Sequence, residues 1–193
     1  MADSLSPDKP RFHHEDLIEL FDRCFASSYN TRLIKGRDEP LYLPRNTAIE
    51  GYDAKPYHQI IFAHGFFRSA LHEIAHWMVA GEARREQVDY GYWYEADGRN
   101  AEQQALFEQV EVHPQAVEWL LTKSTGHRFC VSVDNLNGVQ TDPMPFKRAV
   151  VAKVHALLQK PLAPRIALFQ QALCEFYGQA SCLAPEAFRL EDL

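Results

Sequence analysis

The chain has 193 residues, of which 46% are hydrophobic and 24% charged, proportions typical of one globular domain with a buried core. Its formal net charge of −6 argues against a nucleic-acid or anionic-membrane surface and favours a small or cationic substrate. Residues 1–10 read as a flexible polar leader rather than a signal peptide, and no apolar run reaches the length of a membrane span. We therefore expect one cytoplasmic domain over residues 1–193, without nucleic-acid or membrane partners.

The first third of the chain predicts one helix followed by short strands. Apolar residues repeat at helical spacing over residues 14–26 and predict an amphipathic helix. Short extended runs at 31–35 and 41–43 flank a turn-rich connection, which predicts a hairpin. A further apolar run at 59–63 predicts another strand, which a histidine and a glycine separate from the next helix.

That next helix carries the clearest chemical pattern in the chain, the motif HExxH at His72, Glu73 and His76. Histidines four residues apart lie on the same face of a helix, so both imidazoles can bind one cation with the Glu73 carboxylate beside them. The flanking residues are apolar almost all round, and Gly81 is placed as a helix terminator. Because buried histidines on such a helix need partners, the motif predicts a metal site rather than two structural core residues.

The rest of the chain predicts several more helices and short strands. In order, these are a strand with a tyrosine face at 88–94, helices at 100–112 and 114–123, a strand at 129–133, and helices at 145–159 and 164–177. Asn100 and Gln103 are typical of a capping box, and Pro114 is predicted to start a separate helix. Together the elements predict a single-domain α+β fold with a small, mostly antiparallel sheet and a zincin-like metal-binding helix.

A catalytic metal needs a third protein ligand, and no third histidine follows the motif at short spacing. The candidates are downstream carboxylates, namely Glu95, Asp97, Glu102, Glu108 and Glu111. At about 100° per residue, Glu102 falls within the apolar arc that includes Leu106 and Val110. Glu111 falls on the opposite side and is expected to face solvent. Because an inward glutamate needs a partner, Glu102 is the predicted third ligand.

The set His72, His76 and Glu102 is compatible with two kinds of enzyme. Zinc with an open position and Glu73 as general base would make a metallopeptidase of the HExxH…Glu type, with residues 59–63 as an edge strand for the substrate. Ferrous iron held by two histidines and a carboxylate would make an oxygenase. A non-catalytic binding module stabilised by its metal is a third class.

Residues 64–77, 91–95 and 100–107 are similar to those of the bacterial elongation factor P hydroxylases, and the resemblance runs over nearly the whole chain. It implies a metal-dependent monooxygenase that hydroxylates the β-lysylated lysine of translation elongation factor P, the final step of that modification. Fe(II) is the implied metal and O₂ the cosubstrate. A 2-oxoglutarate cosubstrate is not expected, because the H-x-D pattern at 14–16 opens a helix rather than a barrel strand and no matching basic residue is found.

A β-lysyl-lysine arm carries ammonium groups on long apolar stems, so the implied substrate suits an aromatic and acidic cleft beside the metal. Glu73 is the expected catalytic residue. The residues expected to contact the substrate are Trp77, Tyr90, Tyr92, Tyr94, Glu95 and His64.

Overall fold

Helices lie around one small sheet in the residues that the computed structural model describes, which are 12–89, 98–133, 135, 137–139, 141–179 and 183–193. The helices are α1 (His14–Phe25), α2 (Phe67–Val79), α3 (Ala101–Thr125), α4 (Met144–Leu158) and α5 (Pro164–Tyr177). The strands are β1 (Thr31–Lys35), β2 (Leu41–Leu43) and β3 (His58–Phe62). Short 3-10 turns cover Arg84–Glu86, Pro185–Ala187 and Leu190–Asp192. This arrangement confirms the predicted α+β class.

The sheet is mixed, with β3 at its centre and β1 and β2 on either side. β1 runs parallel to β3, whereas β2 runs antiparallel to it. All five residues of β3 are buried, while β1 and β2 each keep residues that are partly or fully exposed. A strand that is buried throughout suits the position between two neighbours. The predicted hairpin between β1 and β2 is therefore wrong, and the run at 59–63 belongs to the central strand rather than to an edge.

A tight left-handed turn joins β3 to α2 and sets where the motif helix begins. His64 has a φ of 54° and Gly65 a φ of 73°, in a region that residues with a side chain rarely adopt. His64 N donates a hydrogen bond to Arg37 O at 2.9 Å. A Cβ atom at Gly65 would lie 2.7 Å from Lys35 Cε. Both the backbone conformation and the close approach of Lys35 therefore favour glycine at this position.

Helix α3 continues through Pro114, so the predicted division into two helices is wrong. The predicted capping box at its start is confirmed, because the Asn100 and Gln103 side chains each accept a hydrogen bond from the other residue's backbone N–H. A proline inside a helix removes one backbone hydrogen bond. Residues 114–122 are all buried, and α3 contacts α2, α4 and α5. This packing outweighs the missing bond and keeps the helix continuous.

Two apolar clusters hold the helices in place. The larger one joins α1, β3, α2, α3 and α5, and its members from α2 include Leu71, Ile74, Ala75, Trp77 and Met78. The second joins α3 to α4 and to the C-terminal residues through Trp119, Phe129, Phe146, Val150 and Phe188. The apolar side of α2 is thereby fixed in the core. His72, Glu73 and His76 lie on the less buried side of the same helix.

Residues 129–133 are not paired as a strand within the described part of the chain, so the prediction there is wrong. Their carbonyls accept hydrogen bonds from side chains instead, with Arg68 donating to Cys130, Gln115 to Ser132 and Arg99 to Val133. Most of the predicted tyrosine strand, residues 90–94, lies outside the described residues. None of the described helices is both long enough and apolar enough to cross a lipid bilayer.

We predict that Gly65→Ala lowers the free energy of unfolding by about 1–2 kcal/mol, the usual cost of a side chain in the left-handed region. Gly81→Ala is the matched control, because Gly81 lies outside that region and no atom lies within 4 Å of its Cβ position. Urea denaturation followed by circular dichroism gives both values. Equal midpoints for the two variants would show that the turn does not need glycine.

Candidate metal centre

The two histidines of the motif lie together on the side of α2 that faces α3. His72 and His76 are one helical turn apart, and their Nε2 atoms are 3.1 Å from each other. The structure thus brings both imidazoles to one point, as their spacing predicts.

A buried carboxylate of α3 completes this cluster. Glu111 Oε1 lies 3.2 Å from His76 Nε2, and Glu111 Oε2 lies 3.8 Å from His72 Nε2. The Glu111 side chain is 1% exposed, and Gln115 donates a hydrogen bond to its Oε2 at 3.3 Å. Among the described residues, His72, His76 and Glu111 form the group close enough to hold one metal ion, with one donor atom of each within 4.8 Å of the other two.

The structure brings Glu111 rather than Glu102 to the histidines, which corrects the predicted orientation of α3. Glu102 is exposed on the first turn, and Leu106 and Val110, which defined the predicted apolar arc, are 52% and 43% exposed. Glu102 and Glu111 lie on opposite sides of the helix, so only one of them can face α2. The buried side carries polar residues with partners, including Gln104, Glu111, Gln115 and Glu118. In the first half of α3, apolar residues were therefore a misleading guide to the buried side.

A second buried carboxylate, not predicted from the sequence, contacts the other side of His72. Glu118 Oε2 lies 2.8 Å from His72 Nδ1, and Glu118 is 4% exposed. Glu118 follows Glu111 by seven residues, a spacing that places both on one face of a helix. This spacing is the signal in the sequence, but its meaning depends on knowing which face of α3 is buried.

The cluster combines titratable groups of opposite charge in a buried setting. Burial disfavours a charged His72, but the hydrogen bond to Glu118 and the nearby carboxylates outweigh burial and raise its pKa to about 10. Burial also acts to raise the pKa of Glu111, but His76 and His72 outweigh it and lower that pKa to about 2. Glu111 is therefore ionised at neutral pH and offers a charged oxygen ligand. Metal binding requires neutral imidazoles, so a cation would replace the protons that these histidines otherwise carry.

The donor atoms fit one divalent transition metal. At bond lengths of about 2.1 Å, two ligand atoms of a tetrahedral or octahedral ion stand about 3.0–3.4 Å apart. The separations of 3.1 Å between the two Nε2 atoms and 3.2 Å between His76 and Glu111 lie in that range, whereas the 3.8 Å between His72 and Glu111 is longer. Two imidazoles and one carboxylate are the donors of both non-haem iron oxygenases and zinc hydrolases. The chemistry of the donors thus supports a divalent metal without choosing between these two.

Two cavities border the cluster, and Glu73 lines both of them. The larger cavity, of about 300 Å³, is lined in part by His76 and Glu111. The smaller one, of about 240 Å³, is lined in part by His72 and Glu118. Burial raises the pKa of Glu73, and the two neighbouring histidines oppose this effect. A molecule in either cavity would therefore lie next to both the candidate metal ligands and the motif carboxylate.

The larger cavity combines an apolar wall with charged side chains. Its apolar lining includes Ile60, Trp77, Val79 and Pro114. Asp89 also lines it, but Arg84 pairs with this carboxylate at 2.6 Å and compensates its charge. Among the described lining residues, the acidic character predicted for the cleft is therefore limited to Glu73 and Glu111, and the guanidinium of Arg85, which also lines the cavity, offsets part of it.

The predicted substrate contacts fall in different places. Trp77 borders the larger cavity but is 3% exposed, because it packs 5.2 Å from the Phe21 ring and 5.0 Å from the Phe25 ring, with the Arg165 guanidinium 4.6 Å away. His64 is exposed at the turn before α2 and lines neither of these two cavities. Tyr90, Tyr92, Tyr94 and Glu95 lie outside the described residues.

Comparison with known proteins adds an independent observation. The sequence model of the family described as elongation factor P hydroxylase matches residues 20–188. The elongation factor P lysine hydroxylase of Haemophilus influenzae is 53% identical to this chain over 164 residues, which cover 85% of this chain and 89% of that protein. The family match includes all of α2 and α3, and with them every residue of the cluster.

We predict that Glu111→Ala weakens zinc binding more than about 100-fold. Loss of a residue that only hydrogen-bonds to a metal ligand typically costs about 10- to 100-fold, and loss of a ligand itself should cost more. Glu102→Ala, a carboxylate on the exposed side of the same helix, should bind zinc like the unaltered chain. Competition with a chromophoric chelator measures both dissociation constants. The opposite result, with Glu102→Ala impaired and Glu111→Ala normal, would favour the ligand chosen from the sequence.

Proposed function

The chain belongs to the elongation factor P hydroxylase family, and from this premise we propose that it hydroxylates a lysine of translation elongation factor P. The observation that carries the proposal is the 53% identity over 85% of the chain to a protein named for this activity. The substrate that we propose is the β-lysylated form of that lysine, so that hydroxylation is the final step of the modification. We accordingly propose that the enzyme acts in the cytoplasm.

We propose His72, His76 and Glu111 as the ligands of Fe(II). Ferrous iron bound there would supply the activation of O₂ that hydroxylation requires, chemistry that zinc lacks because it has no accessible redox change. Inserting one oxygen atom into a C–H bond releases the other as water and consumes two protons and two electrons from a reductant. We propose no role for 2-oxoglutarate as a cosubstrate, because the H-x-D pattern at 14–16 lies in α1 rather than on a barrel strand.

The residues of the chain prepare this site in complementary ways. The two histidines point their Nε2 atoms to a common point, and Gln115 holds the Glu111 carboxylate beside them. Glu73 borders the larger cavity next to His76, so a substrate that reaches the cluster through this cavity contacts the Glu73 carboxylate. This contact is the basis for assigning Glu73 as the catalytic residue.

The larger cavity is the proposed entrance for the modified lysine arm. Its apolar wall, which includes Trp77, Val79 and Pro114, suits the methylene stems of the arm. Glu73 is a carboxylate of this cavity that the proposed metal does not use, so it can accept a charge-assisted hydrogen bond from an ammonium group. The cavity therefore offers complementary surfaces to both parts of such an arm.

A zinc metallopeptidase is the second candidate, because HExxH followed by a glutamate on a later helix is also the ligand order of such enzymes. The sheet differs from the one expected for such an enzyme in the position of one strand. A peptide that binds in extended form needs a free strand edge to pair with. The strand that leads into the motif helix, β3, is paired on both sides. The edges of this sheet belong to β1 and β2, so the edge strand predicted at 59–63 is absent but the sheet keeps other edges. Family membership is therefore what favours the hydroxylase over the peptidase.

We predict that the protein adds one oxygen atom to β-lysylated elongation factor P in the presence of Fe(II), O₂ and a reductant. Unlysylated factor should react about 10- to 150-fold more slowly, because the missing ammonium removes a charged contact worth about 1.5–3 kcal/mol. Mass spectrometry of the lysine-containing peptide measures both rates, with Glu111→Ala as the control for non-enzymatic oxidation.

Each alternative gives a different result in the same assay. Equal hydroxylation of both forms would contradict recognition of the β-lysyl group. Zinc-dependent peptide cleavage without O₂ would favour the peptidase. The absence of turnover with either metal would favour a binding module.

A further inference from the structure

Glu118 is a buried carboxylate that the proposed ligand set does not use. It lies on α3, is 4% exposed, and places its Oε2 2.8 Å from His72 Nδ1. Three other residues, His72, His76 and Glu111, supply the donor atoms that converge on one point, and Glu118 is not among them. Glu118 therefore contacts the cluster through an imidazole ring rather than directly.

When His72 is neutral, as metal binding requires, the contact determines which of its ring nitrogens carries the proton. A carboxylate can only accept hydrogen bonds, so Nδ1 of His72 must be the donor in this pair. A neutral imidazole has one N–H, and with the proton on Nδ1 the lone pair is on Nε2. That Nε2 atom lies 3.1 Å from His76 Nε2, on the side where the ligands meet. The hydrogen bond thus leaves His72 in the form that can bind a metal.

The same contact also restricts rotation of the ring. His72 is held at Nδ1 by Glu118 and lies 3.8 Å from Glu111 at Nε2, so one helix face of α3 approaches both nitrogens. Glu111 and Glu118 are two turns apart on that face of α3, and the two histidines that they contact are one turn apart on α2. α3 therefore supplies both a candidate ligand and a group that orients another ligand.

We propose that Glu118 is a positioning residue for the metal centre, acting by holding His72 in the Nδ1–H form with Nε2 directed at the ion. Ligating histidines in metalloproteins commonly donate their second ring N–H to such a partner, which orients the ring and increases its basicity. The inference rests on the proposed metal site and is independent of the identity of the substrate.

The test compares zinc affinities of the full chain and three variants by competition with a chromophoric chelator. Glu118→Ala should weaken binding about 10- to 100-fold. Glu118→Gln keeps an acceptor oxygen but loses the charge, so it should recover part of that loss. Thr122→Ala is the matched control, because Thr122 is 1% exposed and lies one turn further along the same face of α3. It should bind zinc like the unaltered chain.

A second readout separates orientation from a general effect on packing. In zinc-loaded protein labelled with ¹⁵N-histidine, the His72 Nδ1–H should exchange slowly with water, and Glu118→Ala should lose this protection. If Glu118→Ala does not fold, Glu118→Gln decides, with reduced affinity and faster exchange expected. Unchanged affinity in the Glu118 variants, or an equal loss in Thr122→Ala, would overturn the proposal. Failure of the unaltered chain to bind zinc would instead contradict the metal site itself.

Discussion

The contact between the histidines of α2 and the buried glutamates of α3 is the interaction on which the proposed site depends. A buried carboxylate without a partner is unfavourable, because it loses its hydration and gains nothing in return. The two glutamates are stable inside because imidazoles face them, at 3.2 Å from Glu111 and 2.8 Å from Glu118. This pairing requires both helices to be held in place. The turn at Gly65 sets the start of α2, and contacts with three other helices hold α3.

The two helices contribute different functional groups to the cluster. α2 brings the histidines and Glu73, and α3 brings the carboxylates, so the cluster exists only where the helices meet. Two cavities border the cluster and give reacting molecules room beside it. The donor atoms alone suit both iron and zinc. The choice of a hydroxylase over a peptidase therefore rests on family membership.

Local patterns predicted the parts of the structure that local interactions determine. The spacing of His72 and His76, the amphipathic first helix and the capping box at Asn100 were all evident from the sequence, because each depends on residues within one or two helical turns. Parts that depend on tertiary packing were not. Apolar residues suggested the wrong inward side of α3, since Leu106 and Val110 are exposed while polar residues with partners fill the interior. The break predicted at Pro114 and the hairpin failed for the same reason, because burial against distant segments outweighed the local signals.

The central claim, that α2 and α3 build one metal centre from two histidines and Glu111, is tested most directly by locating the metal. Crystals of the protein loaded anaerobically with Fe(II) can be measured at the iron absorption edge, where anomalous scattering identifies the ion. We expect one peak within about 2.0–2.3 Å of His72 Nε2, His76 Nε2 and a Glu111 oxygen. A peak whose third protein ligand is Glu102 or Glu73, or a peak away from the histidines, would contradict the account.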